Sequence, residues 1–142
     1  MPAIKTTEFV PFSARQMFDL VNDIESYPEF LPWCSDARLE RHIEHGLIAT
    51  LTLSKGPLRY SFTTENTTRD FDRIEMRLIE GPFKLFNGIW RFVDAPDGCR
   101  VSLDLEFEFS NRLLAAALST VFTRVAGSMV NSFRQQAARR YG

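Results

Sequence analysis

Residues 23–34 read Asp-Ile-Glu-Ser-Tyr-Pro-Glu-Phe-Leu-Pro-Trp-Cys and combine bulky apolar side chains with two prolines. Pro28 and Pro32 prevent this stretch from forming one regular helix, because proline blocks the helix interior and biases the preceding residue toward extended backbone. Apolar bulk on irregular backbone predicts either a plug that fills a core or a lid over a cavity. The large apolar residues are Ile24, Tyr27, Phe30, Leu31 and Trp33.

The residues before this stretch predict a strand and a short helix. Residues 3–11 alternate loosely and end at Pro11, as a strand closed by a turn does. Ser13 and Gln16 have the spacing of a capping box, in which each side chain satisfies a backbone donor of the other residue. The apolar residues within 17–21 then form one helix face. This helix leads directly into the proline-broken stretch.

After the proline-broken stretch the apolar pattern changes to a period of two, which is typical of β-strands. The predicted strands cover about 36–43, 47–54, 58–64, 74–78, 83–93 and 99–109, and turn sequences separate them. The last of these alternates cleanly and carries Asp104, Glu106 and Glu108 on its polar face. A strand of this kind has one buried side and one side in water.

The end of the chain changes to a helical period. Ser110 or Asn111 can cap a helix that extends from about 111 to 139, roughly 43 Å at 1.5 Å per residue. Its apolar arc contains Leu114, Leu118, Val121, Phe122, Val125, Met129 and Phe133. Such a long helix must lie across the sheet. The sequence therefore predicts one α+β domain over 1–142, with six to seven antiparallel strands wrapped around a long C-terminal helix.

This geometry predicts a gap between the sheet and the helix. A strongly curved sheet cannot contact a straight helix everywhere, so the gap is either filled by large side chains or left as a ligand pocket. Alternation or the helical arc directs Phe62, Trp90, Phe107, Phe122 and Met129 toward this gap. Apolar walls of this kind favour a hydrophobic ligand. Composition alone leaves both a solid core and a pocket open.

Composition and charge exclude several classes of function. The net charge of −1 creates no electrostatic demand for nucleic acid, and DNA binding is not expected. No apolar run approaches the roughly 18 residues needed to cross a bilayer, and the N-terminus resembles neither a signal nor a transit peptide. We therefore expect a cytoplasmic protein. Cys34 and Cys99 lack metal or redox spacing and are expected in the core as free thiols.

Catalytic and metal sites are not predicted. His42 and His45 are the only histidines, and they stand in one predicted hairpin without further metal ligands. The presumed cavity therefore lacks the usual general base. An aromatase or cyclase would need a buried acid or base, and the acids of 99–109 belong to the polar face. We expect no catalytic residue and no enzyme activity.

Five arginines follow residue 110 without a single Asp or Glu. They are Arg112, Arg124, Arg134, Arg139 and Arg140. Their five charges against the net charge of −1 leave −6 for the rest of the chain. Arginine pairs well with phosphate, so this basic patch could contact ribosomal RNA or lipid headgroups. The alternative is compensation of the helix dipole, which would account for the last three arginines only.

The motif Val21-x-Asp23-Ile-Glu-x-Tyr27-Pro28-x-Phe30-Leu31-Pro32-Trp33-Cys34 closely resembles the signature of the coenzyme Q-binding START-like family. Three later pieces agree with it: Phe62-Thr-Thr-x-Asn66, Gly81-Pro-Phe-Lys-x-Phe86-x-Gly88-x-Trp90-x-Phe92, and Phe107-x-Phe109-Ser110 followed by a helix that ends with Phe133-x-x-x-Ala137. The resemblance implies the helix-grip fold, in which a curved antiparallel sheet wraps a long C-terminal helix around a hydrophobic cavity.

The resemblance also implies a function. Members of this family look like non-enzymatic carriers or chaperones of ubiquinone-type lipids in respiration, whereas RatA-type bacterial members bind the large ribosomal subunit and block subunit association. The absence of a mitochondrial targeting extension favours a bacterial, cytosolic member. A lipid carrier of this kind could also contact the inner membrane surface transiently. The expected ligand-binding residues are Tyr27, Phe30, Leu31, Trp33, Phe62, Phe83, Trp90, Phe107, Phe122 and Met129.

Overall fold

The computed structural model describes residues 3–142, so residues 1 and 2 of the predicted domain lie outside the described residues. The strands are β1 (Ala3–Val10), β2 (Cys34–Ile43), β3 (Gly46–Lys55), β4 (Leu58–Arg69), β5 (Arg73–Glu80), β6 (Phe83–Ala95) and β7 (Gly98–Phe109). The helices are α1 (Ala14–Asn22), a 3-10 helix (Ile24–Glu29) and α2 (Arg112–Tyr141). This order confirms the predicted α+β helix-grip fold.

The seven strands form one antiparallel sheet in the order β1-β7-β6-β5-β4-β3-β2. The first strand thus pairs with the last, and the other strands follow one another as hairpins. Register shifts interrupt the ladders at four places, between Cys34 and Asp36, Leu39 and Arg41, Thr63 and Thr64, and Phe83 and Leu85. Such irregularities increase the local twist and bend a strand, which favours curvature of the sheet.

Gly88 lies where β6 is crowded by both of its neighbours. A Cβ atom at this position would stand 2.5 Å from Met76 Cε and 3.1 Å from Leu105 Cδ1. The pairing of β6 is regular here, with Gly88 opposite Met76 on β5 and opposite Leu105 on β7. Glycine at this position therefore allows a close approach of side chains rather than a bulge.

Helix α2 begins at the cap formed by Asn111, whose side chain accepts from the Leu114 N–H at 2.9 Å. Its buried row is Phe122, Ala126, Val130, Phe133 and Ala137. The predicted arc is correct for Phe122 and Phe133, but its other members are only partly buried. The buried row contains Ala126, Val130 and Ala137, which the predicted arc did not include.

By length and composition, α2 is also the one helix within residues 3–142 that could cross a membrane. This corrects the expectation that no apolar run approaches that length. The same helix buries Phe122, Val130 and Phe133 in the core of the fold, although only 22% of its most apolar 18-residue window is buried. Its apolar character is therefore explained in part by packing on the sheet.

Two hydrophobic clusters fill the space between the sheet and the helices. One cluster joins α1, the 23–34 stretch and the C-terminal half of α2, with Met17, Leu20, Leu31 and Phe133 fully buried. The other cluster is aromatic and surrounds the middle of α2. Its phenylalanines are Phe62, Phe83, Phe86, Phe107, Phe109 and Phe122. The partly buried side chains of Leu51 and Met76 pack against both clusters, so the gap beneath the sheet lies between them.

Candidate functional site

The 23–34 stretch folds over one end of the sheet. The Leu31 N–H donates to the Tyr27 carbonyl at 2.9 Å, and the Cys34 N–H donates to the Leu31 carbonyl at 2.9 Å. The Tyr27 hydroxyl donates to the backbone carbonyl of Val21. The Trp33 carbonyl accepts from the Ser54 N–H at 2.8 Å, which ties the stretch to β3. These bonds give the irregular backbone a defined shape.

A cavity lies beneath this stretch, between the sheet and α2. Its walls are Ile24, Tyr27, Trp33, Ala49, Leu51, Leu53, Phe62, Thr64, Asn66, Met76, Phe86, Trp90, Leu103, Leu105, Phe122, Val125, Ala126 and Met129. The cavity together with its open mouth has a volume of about 610 Å³. The centre of a water molecule can occupy about 60 Å³. This is room for a few waters, so a larger ligand requires the walls to move apart.

The 23–34 stretch is both a plug and a lid. Leu31 is fully buried in the core and does not line the cavity. Tyr27 and Trp33 line it, together with Ile24 of the same stretch. The stretch therefore closes the core with one set of side chains and roofs the cavity with another.

Four residues with polar groups interrupt the apolar walls. Thr64 Oγ1 donates to Asn66 Oδ1 at 2.7 Å, and both residues are buried. The indole Nε1 of Trp33 is also buried and has no acceptor among the described residues. A buried donor without a partner costs about 1–3 kcal/mol, which a ligand oxygen could recover. Burial raises the pKa of the Tyr27 phenol far above its ordinary value, so this hydroxyl stays protonated.

A second, smaller cavity adjoins the first. It lies between the β3–β4 hairpin, the start of β6 and the first half of α2. Its walls are Leu53, Ser54, Lys55, Leu58, Tyr60, Phe62, Pro82, Phe83, Phe109, Leu118, Val121 and Phe122. This cavity together with its open mouth has a volume of about 380 Å³. The centre of a water molecule can occupy about 20 Å³. Leu53, Phe62 and Phe122 line both cavities.

The predicted ligand-binding residues fall into three groups. Tyr27, Trp33, Phe62, Trp90, Phe122 and Met129 line the larger cavity. Phe83 lines the smaller one. Phe30, Leu31 and Phe107 line neither. Phe30 packs edge-on against Phe133 with ring centroids 5.3 Å apart, and Phe107 packs against Phe122 at 4.6 Å. These three side chains support the walls rather than form them.

Sequence reasoning missed the polar wall of the larger cavity. Thr64 and Asn66 follow Phe62 at steps of two residues on β4, and the three share one face of that strand. The period-two pattern therefore contained the signal. This signal is hard to recognise because a buried Thr-Asn pair on an apolar face interrupts the hydrophobic pattern that identifies core faces.

The five arginines of the predicted basic patch do not form one compact cluster. Arg134 pairs with Glu8 of β1 at 3.7 Å, and Arg140 pairs with Asp23 at 3.4 Å. Arg139 Nε donates to Gln136 on the same helix at 3.0 Å. Arg112 stands at the other end of α2, about 42 Å from Arg140 at 1.5 Å per residue. Arg124 is exposed between these ends.

The histidines and cysteines lie away from any reactive arrangement. His42 and His45 are exposed, and residues 3–142 contain no group of three or more His, Cys, Asp or Glu side chains that could hold a metal ion. Cys34 and Cys99 are buried free thiols, as expected. Burial raises the pKa of each thiol to about 11, so both remain protonated near neutral pH.

Comparison with known proteins finds relatives of this chain. Residues 10–134 match the family model described as polyketide cyclase / dehydrase and lipid transport. The ribosome association toxin RatA of Pseudomonas aeruginosa is 41% identical over 140 residues, which cover 98% of this chain and 97% of that protein. The mitochondrial coenzyme Q-binding protein COQ10 homolog B of Xenopus laevis is 30% identical over 138 residues, which cover 92% of this chain and 56% of that protein.

Solved structures agree with the fold. An 18 kDa protein of Caulobacter crescentus superimposes with a TM-score of 0.78 at 31% identity and covers 100% of this chain and 99% of its own. A START superfamily protein of Mycobacterium smegmatis gives a TM-score of 0.75 at 19% identity, over 97% of this chain and 95% of its own. The Zhui aromatase/cyclase of a Streptomyces species gives 0.81 at 14% identity, over 99% and 96%. The resemblance drawn from the motifs is therefore confirmed, and the chain belongs to the polyketide cyclase / dehydrase and lipid transport family.

Proposed function

We propose that this protein binds an isoprenoid quinone such as ubiquinone in the larger cavity and carries it without making or breaking a bond. The observation that carries this proposal is the chemistry of the walls. Among the described residues that line the cavity, none carries a carboxylate, amine, guanidinium, imidazole or thiol. An apolar site with a few convergent polar groups suits a hydrophobic molecule with a small polar head.

A quinone fits this site better than a hydrocarbon or a charged lipid. Its carbonyl oxygens accept hydrogen bonds, and the Trp33 indole offers a buried N–H that has no acceptor among the described residues. A phosphate or carboxylate head would instead have to leave water for a cavity without a cation, which is costly. The relative named coenzyme Q-binding protein supports the same class of ligand.

The walls also argue against an aromatase or cyclase activity. The Tyr27 phenol is held by the Val21 carbonyl, and its raised pKa makes it a poor proton donor at neutral pH. Asp104 faces away from the cavity and pairs with Arg91 at 3.2 Å on the outer face of the sheet. The Streptomyces aromatase/cyclase supports only the shared fold at 14% identity.

The test is whether quinone occupies the cavity. Purified protein is extracted with organic solvent and analysed by mass spectrometry, and the melting temperature is then measured with and without added ubiquinone. Ala126→Leu places a larger side chain in the cavity wall, and we expect it to abolish both the extracted quinone and the ligand-induced rise in melting temperature. Ala116→Leu, on an exposed position of the same helix, is the matched control and should behave as the unmodified protein. Extracts without lipid, together with an unchanged melting temperature, would exclude the proposal.

A second candidate function is binding to the large ribosomal subunit. The observation that favours it is the 41% identity to a ribosome association toxin over nearly the whole length of both proteins. Sedimentation of the protein with separated ribosomal subunits tests this directly. Arg139→Glu is the preferred variant, because Arg139 bonds the uncharged Gln136 and its replacement breaks no ion pair with that residue. Arg140, by contrast, pairs with Asp23. Cosedimentation that survives both Arg139→Glu and Arg124→Glu would show that these two arginines do not bind the ribosomal subunit.

We place the protein in the bacterial cytosol under either candidate. The quinone proposal adds transient contact with the inner membrane, where a hydrophobic quinone would be exchanged. Cell fractionation with and without added quinone tests this, since a protein that never associates with membrane vesicles could not exchange such a ligand with them.

A further inference from the structure

The two cavities share three wall residues, Leu53, Phe62 and Phe122, and are otherwise lined by different side chains. These three residues therefore form a neck between two neighbouring chambers. We propose that the chambers are one elongated site, in which the polar head of an amphiphilic ligand occupies the larger chamber and its apolar chain passes the neck into the smaller one. This inference rests on the proposed function and adds to it the orientation of the ligand and a limit on its length.

Strand β4 lines the site from one end to the other. Asn66, Thr64 and Phe62 line the larger chamber, and Phe62, Tyr60 and Leu58 line the smaller one. These residues are two apart, so they lie in one row on the same face of the strand. The row from Asn66 to Leu58 spans eight residue steps, or about 26 Å at 3.3 Å per residue. A continuous path of this length suits an extended ligand.

The polarity of the site changes along this row. Thr64, Asn66 and Trp33 all line the larger chamber. Thr64 and Asn66 bond each other, and the buried Trp33 Nε1 has no partner among the described residues. Past the neck, the walls contributed by β6, β7 and α2 are aromatic or aliphatic, as with Phe83 and Leu118. The polar or amphipathic side chains of the smaller chamber, Ser54, Lys55 and Tyr60, belong to its β3–β4 side. The larger chamber therefore suits a head that accepts hydrogen bonds, and the smaller chamber suits an apolar chain.

The neck is closed by apolar contacts that can yield. Leu53 and Phe62 stand on adjacent strands, and the Phe62 and Phe122 rings meet edge-on with centroids 6.4 Å apart. Phe122 is the first buried residue of α2. Within 112–121 the half-buried Leu114, Ala115 and Leu118 pack against the aromatic cluster, and Leu113 is 81% exposed. A segment with so little buried surface opens at low free-energy cost. Displacement of the start of α2 would widen the neck and the smaller chamber together.

The test measures affinity against chain length by calorimetry. The ligands are the ubiquinone headgroup alone and analogues that carry two and four isoprene units. For the unmodified protein we expect each longer chain to bind more than about tenfold tighter, because apolar surface becomes buried past the neck. Trp33→Phe keeps an aromatic ring but removes the N–H, and it should weaken binding of the headgroup by about three- to tenfold.

Leu118→Trp fills the smaller chamber without touching the larger one. It should abolish the gain in affinity from the chain and leave headgroup binding unchanged, and Val121→Phe is a second variant with the same expectation. Leu113→Trp, at an exposed position that lines neither chamber, is the control. Binding that does not depend on chain length, or a chain effect that survives both filling variants, would overturn the two-chamber site and leave the proposed function intact. Failure of every quinone to bind the unmodified protein would overturn both.

Discussion

Substitution of Ala126 by leucine distinguishes a true cavity from a solid core. Ala126 is only 3% exposed, and its side chain lines the larger chamber. Filling a cavity returns about 24 cal/mol for each Å³ that the new atoms occupy. For the 60 Å³ that a water centre can reach, this gives about 1.4 kcal/mol as an upper limit. We therefore expect Ala126→Leu to stabilise the ligand-free protein by about 1 kcal/mol.

A solid core predicts the opposite sign. Extra methylene groups in a well-packed interior cost about 1–3 kcal/mol, because neighbouring side chains are forced from their preferred rotamers. Ala137→Leu supplies this reference on the same helix, since Ala137 is fully buried and lines neither chamber. The free energy of unfolding is measured by urea titration of ligand-free protein. A loss of stability for Ala126→Leu as large as for Ala137→Leu would refute the cavity.

Three further predictions concern buried groups elsewhere in the fold. Tyr27→Phe should lower the free energy of unfolding in urea by about 1–3 kcal/mol, because it leaves a buried backbone carbonyl without its donor; an unchanged midpoint would contradict the hydrogen bond. Cys34 and Cys99 have an ordinary pKa of 9.0 that burial raises to about 11. The protonated thiols therefore stabilise the fold fully below pH 9, and this stability is lost as the pH rises from 9 toward 11. Urea midpoints at pH 8 and pH 10.5 measure the loss, and Cys99→Ala should reduce it. Gly88→Ala should cost about 0.5–1.5 kcal/mol, because its Cβ would stand 2.5 Å from Met76 Cε and this flexible side chain must turn away from its preferred rotamer. The double variant with Met76→Ala should relieve the clash; if the two costs simply add, the contact is not the cause.

Most of the architecture could be predicted from local patterns. The capping box at Ser13 and Gln16 is present as expected, the strand order along the chain follows from the period of two, and α2 begins within one residue of its predicted start. Each of these patterns records a preference of a short segment for one backbone conformation or one buried face. The motifs around the 23–34 stretch also sufficed to identify the family.

The walls of the site could be predicted only in part. A residue such as Leu31 or Phe107 is recognisably apolar and inward-facing, but its pattern does not say whether it meets another side chain or a gap. Both turned out to be packed on all sides, since each is fully buried and lines neither chamber. Thr64 and Asn66 were missed for the converse reason, because a polar pair that satisfies itself in the interior looks like an interruption of a core face.

The sequence by itself determined the elements, their order, the family and the hydrophobic character of the interior. Tertiary structure alone decided that the 23–34 stretch both plugs the core and roofs a cavity, because this depends on which neighbour each of its side chains meets. It also placed Asp23 against Arg140, 117 residues away. This ion pair distinguishes Arg140 from the other arginines, which the sequence had assigned to one basic patch. Local patterns determine which way a side chain faces, whereas cavities and ion pairs depend on the distances between segments that are remote in the chain.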